Sequence, residues 1–419
     1  MKDFDGVEMF KIKYVRENFV QTANLFGFKF LNPSPIELLS TLETKSGSQI
    51  KDDIYFFKDK HNREIGLRFD FTMGLTRFVV SQKSIKLPAK FASFGGVFRY
   101  DEPQKGRYRY FHQWNIEIFG KPSLAADAEL IEFTSVLFKK LLLKNIIIEI
   151  SNRKLIQSFV TSVFKTNDPK IISDVFRAMD KIQKKRKEDI ISEYEKKGID
   201  KEKLEKILEF STIKGSPNEI QSRFDTSLDG WDELKELYLS LTDRDIKNIR
   251  INFGIVRGLD YYSGMVFEAF DTSLDIGALV GGGRYDNLPK AFGRDDLGAT
   301  GVAGGVERII LSLEAQGLTP KKEIVITSVL YANEEMHSEA LAIASKLRQI
   351  GVPTIIDYYP NKSLKKQMES STESKFTIIV GPKEFAVNKV VLRNMINRSE
   401  ELILIDDLIK NANTILKKP

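Results

Sequence analysis

The segment from Gly106 to Glu117 is the feature that most restricts how this chain can fold. Its residues alternate in character with a period of two, as side chains do on the two faces of a β-strand. One face carries polar, basic and flat groups: Arg107, Arg109, Phe111, Gln113, Asn115 and Glu117. The other carries side chains that suit a core: Tyr108, Tyr110, His112, Trp114 and Ile116. The pattern predicts a strand with one buried face and one ligand-binding face.

The chemistry of the first face indicates a class of ligand. Arginine forks match phosphate oxygens, the Phe111 ring can stack on a base, and Gln113 and Glu117 can hold an amine or imidazole. A nucleotide joined to a small cationic substrate would fit this surface. A solvated basic strand would show a similar pattern, and a β-bulge would change which residues share a face.

Composition excludes several functional classes. The 419-residue chain has no cysteine and three histidines, which excludes disulfides, thiolate metal sites and cysteine nucleophiles and disfavours a histidine-rich metal centre. No apolar run reaches the ~18 residues of a membrane helix, and no secretory signal is visible, so a cytoplasmic protein is expected. The net charge of +6 is compatible with nucleic acid but does not decide it.

The first part of the chain is dominated by predicted antiparallel strands. Residues 8–27 form a predicted amphipathic helix closed by a glycine, followed by a short strand at 28–31. Residues 54–57 and 65–69 form a predicted hairpin, and 91–100 the partner of the strand described above.

Helices prevail from about residue 127 to 250, with a helical insertion at about 165–245, before sheet-like sequence resumes at 249–253. Beyond Pro320, strand and helix patterns alternate. We therefore expect two domains: an α+β domain at 1–321, built on an antiparallel sheet, and a compact α/β domain at 322–419.

Glycine-rich segments suggest close approach of backbone to a ligand. They lie at Phe253–Glu268, Ala278–Asp286 and Ala299–Arg308, and they include Arg257 and Arg308. Neither a dinucleotide-binding fingerprint in a βαβ context nor a P-loop is present, so nucleotide binding would use another fold. Tight turns in an antiparallel sheet would explain some of the glycines, but not the two arginines.

Together these segments resemble class II aminoacyl-tRNA synthetases, and the histidyl-tRNA synthetase family in particular. Phe98–Glu117 is similar to motif 2, Gly301–Arg308 to motif 3, and Phe28–Glu37, with Pro35, to the dimer-forming motif 1. The segments typical of the histidyl branch resemble Arg257–Tyr262, Ala278–Asp286 and, in the insertion, Met179–Ile182. The resemblance runs nearly end to end and includes a C-terminal anticodon-binding domain.

The resemblance implies a homodimer that activates histidine with ATP and Mg²⁺ and transfers it to the 3′ end of tRNA(His). It implies a class II catalytic fold and assigns three sets of residues. The ATP set is Arg99, Arg107, Phe111 and Arg308, with Arg99 and Arg257 as catalytic groups. The histidine set is Asp70, Thr72, Gln113, Glu117, Arg257, Tyr261 and Tyr262. The set for the tRNA acceptor end is Gln104, Lys105 and Arg109. No protein metal ligand is expected.

Three positions depart from the family pattern. Asp70 and Asp101 stand where many relatives have Glu, and Glu102 stands in a loop where a basic residue is frequent. Three alternative functions would share parts of this pattern: a histidine-sensing regulatory paralogue, a tRNA-binding module without catalysis, and another class II synthetase. The arginine set and the C-terminal domain disfavour the first, and the arginine set also disfavours the second. Arg257–Tyr262 and Glu117 disfavour the third.

Overall fold

The computed structural model describes residues 3–100, 102, 106–182, 185–256, 262–320 and 326–416. The chain divides into two compact units, Met1–Pro320 and Lys321–Pro419. In the described residues, no helix is both long and apolar enough to cross a membrane.

A nine-stranded sheet forms the centre of the first unit, with the strand order β1-β5-β6-β12-β11-β10-β7-β9-β8. It is mixed: β1 with β5 and β7 with β9 are parallel pairs, and the other neighbours are antiparallel. A three-stranded sheet, in the order β2-β4-β3, lies in the same unit. The strands are β1 Lys29–Phe30, β2 Ile36–Leu38, β3 Phe56–Lys58, β4 Glu64–Leu67, β5 Ala89–Phe98, β6 Tyr110–Gly120, β7 Ile146–Asn152, β8 Lys214–Gly215, β9 Ile249–Asn252, β10 Met265–Asp271, β11 Val280–Arg284 and β12 Gly298–Gly305.

Helices pack against both faces of this sheet and form the insertion. Asp5 caps the first helix by accepting hydrogen bonds from the Val7 and Glu8 amides. The helices of the unit are α1 Gly6–Leu25, α2 Leu39–Ser46, α3 Thr72–Ser81, α4 Leu124–Lys140, α5 Arg153–Phe164, α6 Pro169–Asp180, α7 Lys187–Glu195, α8 Lys201–Phe210, α9 Pro217–Ile220, α10 Trp231–Asp243, α11 Asn287–Ala291 and α12 Val306–Ala315.

The alternation predicted for the central strand is confirmed in β6. Trp114 and Ile116 are fully buried in the large core, where the Trp114 ring packs 5.4 Å from Phe19 of α1. Gln113 and Glu117 are also buried, but they face the polar site on the opposite side of the sheet. Strand β6 therefore joins the core to the site.

Most predicted elements occur. The hairpin is β3 and β4, and β5 pairs with β6 in the register Phe98↔Tyr110. The helical stretch also contains one central strand, β7, which the sequence pattern did not identify. Three consecutive isoleucines, Ile146 to Ile148, precede a short alternation over Ile148–Ser151, so the period-two signal of this strand is weak.

The second unit has its own five-stranded sheet, ordered β14-β13-β15-β16-β17, and its own core. Strands β14, β13 and β15 are parallel, and β16 and β17 run antiparallel to their neighbours. The alternation predicted here is confirmed as far as β16; β17 and α16 were not predicted. The elements are β13 Thr327–Tyr331, α13 His337–Gln349, β14 Thr354–Ile356, α14 Leu364–Ser370, β15 Phe376–Val380, α15 Pro382–Phe385, β16 Lys389–Asn394, β17 Glu400–Leu404 and α16 Ile405–Ile415.

Candidate active site

A cavity of about 450 Å³ lies on the polar face of the nine-stranded sheet. Its lining brings together side chains from strand ends, loops and the start of α12 that are far apart in sequence. The predicted site residues among them are Asp70, Thr72, Arg99, Arg107, Phe111, Gln113, Tyr262 and Arg308. Segments β11 and β12 contribute mainly glycine, so backbone forms much of the floor: Gly281, Gly282, Gly301 and Gly305.

One end of the site is built around the carboxyl group of Glu117. Thr72 donates a hydrogen bond of 2.8 Å to Glu117 Oε1, and Asn115 donates another of 3.2 Å to the same oxygen. Tyr285 donates to Oε2. Glu117 is buried and does not itself line the cavity, whereas its donors Thr72 and Tyr285 do. Its carboxyl group therefore acts on the wall that a ligand would contact.

Burial controls the protonation of this carboxyl group. The pKa of Glu117 is raised to about 7, mainly by burial and also by nearby Asp70, while hydrogen bonds from Tyr285, Thr72 and Asn115 oppose the rise. The carboxyl group therefore titrates much closer to neutral pH than an exposed glutamate does. A ligand that brings its own hydrogen-bond donor or positive charge would favour the carboxylate form.

A chain of contacts along the strand connects this end to the arginine end. Gln113 donates to Asn115 Oδ1 at 2.6 Å and accepts from Arg99 Nη2 at 3.2 Å. The Arg99 side chain is also held by the Phe69 carbonyl, 3.0 Å from Nε, and its guanidinium lies 5.1 Å from the centre of the Phe111 ring. These contacts fix the orientation of Arg99 at the cavity wall.

The far end of the cavity is cationic. Arg308, at the start of α12, donates to the Ala278 carbonyl at 2.8 Å and to the Gly106 carbonyl at 3.2 Å, and Arg107 lines the same region. Phe111 and Glu117 are six residues apart on one strand, which spans about 20 Å. The site is therefore elongated, with carboxyl, hydroxyl and amide groups at one end and arginines with an aromatic ring at the other.

A pair of residues joins strand β6 to α12 at the arginine end of the cavity. Glu307 accepts hydrogen bonds from the His112 backbone amide at 2.9 and 3.0 Å and contacts His112 Nδ1 at 2.9 Å. His112 follows Phe111, and Glu307 precedes Arg308. The pair thus fixes the position of the aromatic ring relative to the arginine.

Arg284 supports the Glu117 end of the site. It forms a buried ion pair with Asp127 of α4 and another of 2.6 Å with Glu233 of α10. Burial raises the pKa of Asp127 to about 6, with Arg284 opposing, so the carboxylate remains mostly charged at neutral pH. Because Tyr285 is adjacent to Arg284 in the chain, the ion pairs hold the strand end that presents Tyr285 to Glu117.

The structure gathers most of the predicted site residues around the cavity, but not all of them. Arg109 does not line the cavity; its guanidinium lies 4.6 Å from the centre of the Tyr100 ring. Five further positions singled out from the sequence lie outside the described residues: Asp101, Gln104, Lys105, Arg257 and Tyr261.

Sequence reasoning missed two residues that position the site, Tyr285 and Glu307, and it placed Asn115 on the site face without giving it a role. A signal existed for Tyr285, because Gly281, Gly283 and Tyr285 follow the same period-two alternation that places Glu117 on the site face. Glu307 gave no such signal, since its partner His112 is 195 residues away.

Comparisons with known proteins agree over nearly the whole chain. Residues 1–309 match the family described as Histidyl-tRNA synthetase, and residues 323–414 match the Anticodon binding domain. The histidine–tRNA ligase of Pyrococcus furiosus is 36% identical over 99% of this chain and 98% of its own length. The histidine–tRNA ligase of Pyrococcus horikoshii is 32% identical over 100% of this chain and 98% of its own length.

A solved structure shares the fold. The histidyl-tRNA synthetase of Nostoc sp. superposes with a TM-score of 0.78 at 23% identity and covers 98% of this chain and 97% of that one. The fold, the extent of the match and the identity above 30% to full-length relatives lead to one assignment. The chain belongs to the histidyl-tRNA synthetase family.

Proposed function

We propose that the elongated cavity holds histidine at its Glu117 end and ATP at its arginine end, and that it forms histidyl-adenylate between them. As a member of its family the chain is an aminoacyl-tRNA ligase whose catalysis depends on ATP. The observation that carries the site assignment is the Glu117–Thr72–Tyr285 hydrogen-bond group at one end of a cavity whose other end is lined by Arg99, Arg107 and Arg308.

The histidine end suits an imidazole and an ammonium group. Thr72, Tyr262 and Tyr285 line the cavity, and Thr72 and Tyr285 donate hydrogen bonds to the Glu117 carboxyl group. We assign the imidazole to Glu117 and Tyr262, and the amino group to Asp70, Thr72 and Gln113. Tyr261 and Arg257, outside the described residues, complete the set by family resemblance.

The nucleotide end suits a purine and phosphates. Phe111 offers a ring face on which adenine can stack. Arg99 would contact the α-phosphate, and Arg107 and Arg308 would contact the outer phosphates. Mg²⁺ usually keeps several waters and binds through one or two carboxylates plus substrate phosphates. Glu268 and Glu307 line the cavity, so they would be the carboxylates within reach of such an ion, which would neutralise phosphate charge when bound.

Little covalent chemistry is required of the side chains. A carboxylate oxygen of histidine attacks the α-phosphorus, and the bond from that phosphorus to the oxygen bridging to the β-phosphate breaks, so pyrophosphate leaves. Arg99 and Arg257 would stabilise the charge on the α-phosphate. A terminal ribose hydroxyl of tRNA then attacks the acyl carbon, and AMP leaves. Gln104, Lys105 and Arg109 are proposed to guide that tRNA end.

Histidine-dependent ATP–pyrophosphate exchange tests this function most directly. We expect the full-length chain to catalyse exchange with histidine and not with the other amino acids. Exchange driven by a different amino acid would identify another class II specificity. A chain that binds histidine but shows no exchange would instead be a sensing paralogue.

Gly301 is predicted to be required for the histidine pocket. It lies opposite Glu117 in the β6–β12 register, and a Cβ atom there would overlap the Glu117 carboxyl group. Crowding a packed site costs about 1–3 kcal/mol, so Gly301→Ala should raise the KM for histidine by about tenfold or more. Gly120→Ala is the control, because its Cβ would meet only Pro88 at 3.6 Å. Equal KM values for the two variants would contradict the pocket geometry.

We propose that the protein is a homodimer formed through the region of motif 1. Apolar side chains of β1 and of the three-stranded sheet are 44–49% exposed: Phe30, Ile36, Leu38, Phe56 and Phe57. Exposed apolar groups of this kind mark protein interfaces. Sedimentation at micromolar concentration should give twice the chain mass of 47.8 kDa, and a species at 47.8 kDa alone would refute the dimer.

Adenylate formation and tight tRNA binding should depend on different units of the chain. All proposed adenylate-forming residues precede Pro320, and the second unit has its own sheet and core. A chain ending at Pro320 should keep exchange with histidine but charge tRNA with a higher KM, because a second contact region is lost. In the full chain, that KM should rise steeply with salt. A dimeric truncated chain that charges tRNA as efficiently as the full chain would contradict the proposed role of the second unit.

A further inference from the structure

The second unit carries two neighbouring tyrosines whose side chains its own core does not use. Tyr358 is 77% exposed and Tyr359 is 70% exposed, on the segment between β14 and α14. Two adjacent exposed aromatic rings form a contiguous apolar patch, and such patches mark interaction sites. Exposure alone does not identify that partner, but the way the segment is held and placed does.

Hydrogen bonds and an ion pair hold the backbone that carries the two rings. The hydroxyl of fully buried Tyr331 donates to the Tyr359 carbonyl, and the Tyr359 amide donates to Asp357 Oδ1 at 3.1 Å. Lys362 forms an ion pair with Asp357, and its amide donates to the Tyr359 carbonyl at 3.1 Å.

Buried Gln367 completes this support. It donates to the Lys362 carbonyl at 2.8 Å and to the Tyr331 carbonyl at 3.0 Å. The rings are therefore presented on an ordered segment, so little conformational entropy would be lost when a ligand stacks on them.

The position in the fold also indicates a ligand. The segment follows the carboxyl end of β14, and β14, β13 and β15 are parallel, so their carboxyl ends meet at one edge of the sheet. Ligands of open α/β sheets bind at this edge. Exposed lysines lie on the segments after β14 and β15 at the same edge: Lys365, Lys366 and Lys383. Glu334 and Glu335, after β13, make that side of the edge acidic.

We propose that Tyr358 and Tyr359 form a stacking platform for unpaired bases of an RNA loop, with phosphates running over the neighbouring lysines. Exposed aromatic rings beside cations are the means by which proteins bind single-stranded nucleic acid, because every base offers a flat face. The proposal rests on the proposed function, in which this unit grips the anticodon loop of tRNA(His), and it names the surface that does so.

Charging kinetics of the full-length chain test the platform. Replacing both tyrosines by alanine should raise the KM for tRNA(His) by roughly tenfold or more, since stacking on one aromatic contributes about 1–3 kcal/mol per base. Histidine-dependent pyrophosphate exchange should not change. Replacing both by phenylalanine keeps the rings and should leave the KM within about twofold. Ile396→Ala is the matched control, 72% exposed in the same unit, beyond the opposite end of β15.

A binding measurement isolates the bases. The probe is an RNA hairpin with the anticodon stem and loop of tRNA(His), paired with the same hairpin carrying abasic loop nucleotides. The wild-type chain should bind the base-bearing hairpin about tenfold more tightly, and the double alanine variant should bind both equally. If the wild-type chain does not distinguish the hairpins, or the alanine variant behaves as Ile396→Ala does, the platform is refuted. Absence of pyrophosphate exchange in the wild-type chain would instead refute the proposed function.

Discussion

Replacing Glu117 by alanine should reduce histidine activation by about a hundredfold or more, while the KM for ATP changes by less than about threefold. A site that is built to hydrogen-bond an imidazole discriminates strongly when its buried polar groups lose their partners. Glu117 is the shared acceptor of Thr72, Asn115 and Tyr285, so its loss leaves three donors unpaired beside the ligand. Pyrophosphate exchange at varied histidine and ATP concentrations measures the effect.

A second variant separates recognition from folding. Glu117→Gln keeps the side-chain volume and one carbonyl acceptor but removes the carboxylate. Its rate of histidine activation should therefore lie between those of the wild-type protein and Glu117→Ala. Thermal unfolding of both variants reports on the buried site itself. Normal histidine activation by a folded Glu117→Ala protein would show that the side-chain pocket lies elsewhere.

Arg99→Ala should lower kcat for pyrophosphate exchange by roughly 10²–10³, the usual cost of removing one preorganised electrostatic donor. The guanidinium is held by the Phe69 carbonyl, Gln113 and the Phe111 ring, so it is oriented before ATP arrives. An interaction that strengthens in the transition state lowers kcat more than it raises KM.

Two further variants control for charge and geometry. Arg99→Lys retains a positive charge but not the planar fork, so it should recover only part of the rate. Arg294 forms an ion pair of 2.7 Å with Asp296, and neither residue lines the cavity. Arg294→Ala should therefore leave pyrophosphate exchange unchanged. If the loss in Arg99→Ala appears wholly as a higher KM for ATP, the residue binds ATP without contributing to chemistry.

Particular elements show why some predictions from sequence succeeded. Strand β6 was predictable because one face meets the apolar core and the other meets the polar site, so its composition alternates although both faces are buried. Strand β7 was not identified because its alternation is confined to Ile148–Ser151 and follows a run of three isoleucines. The antiparallel expectation held for most strand pairs, but β1 with β5 and β7 with β9 are parallel, since pairing direction depends on connections that periodicity does not encode.

The sequence by itself determined the strand that carries the site, the composition of its two faces, the glycine segments that bring backbone to the ligand, and the family resemblance. The strand, its two faces and the glycine segments are local patterns of neighbouring residues, and the resemblance is the sum of such patterns along the chain. Only the tertiary structure decided which residues act on one another. It placed Tyr285 and Thr72 on the Glu117 carboxyl group and Glu307 on the His112 amide. Such contacts join residues 45 to 195 positions apart, and burial of Glu117 among them sets its pKa near 7. Desolvation and long-range hydrogen bonding depend on packing, and no local pattern records them.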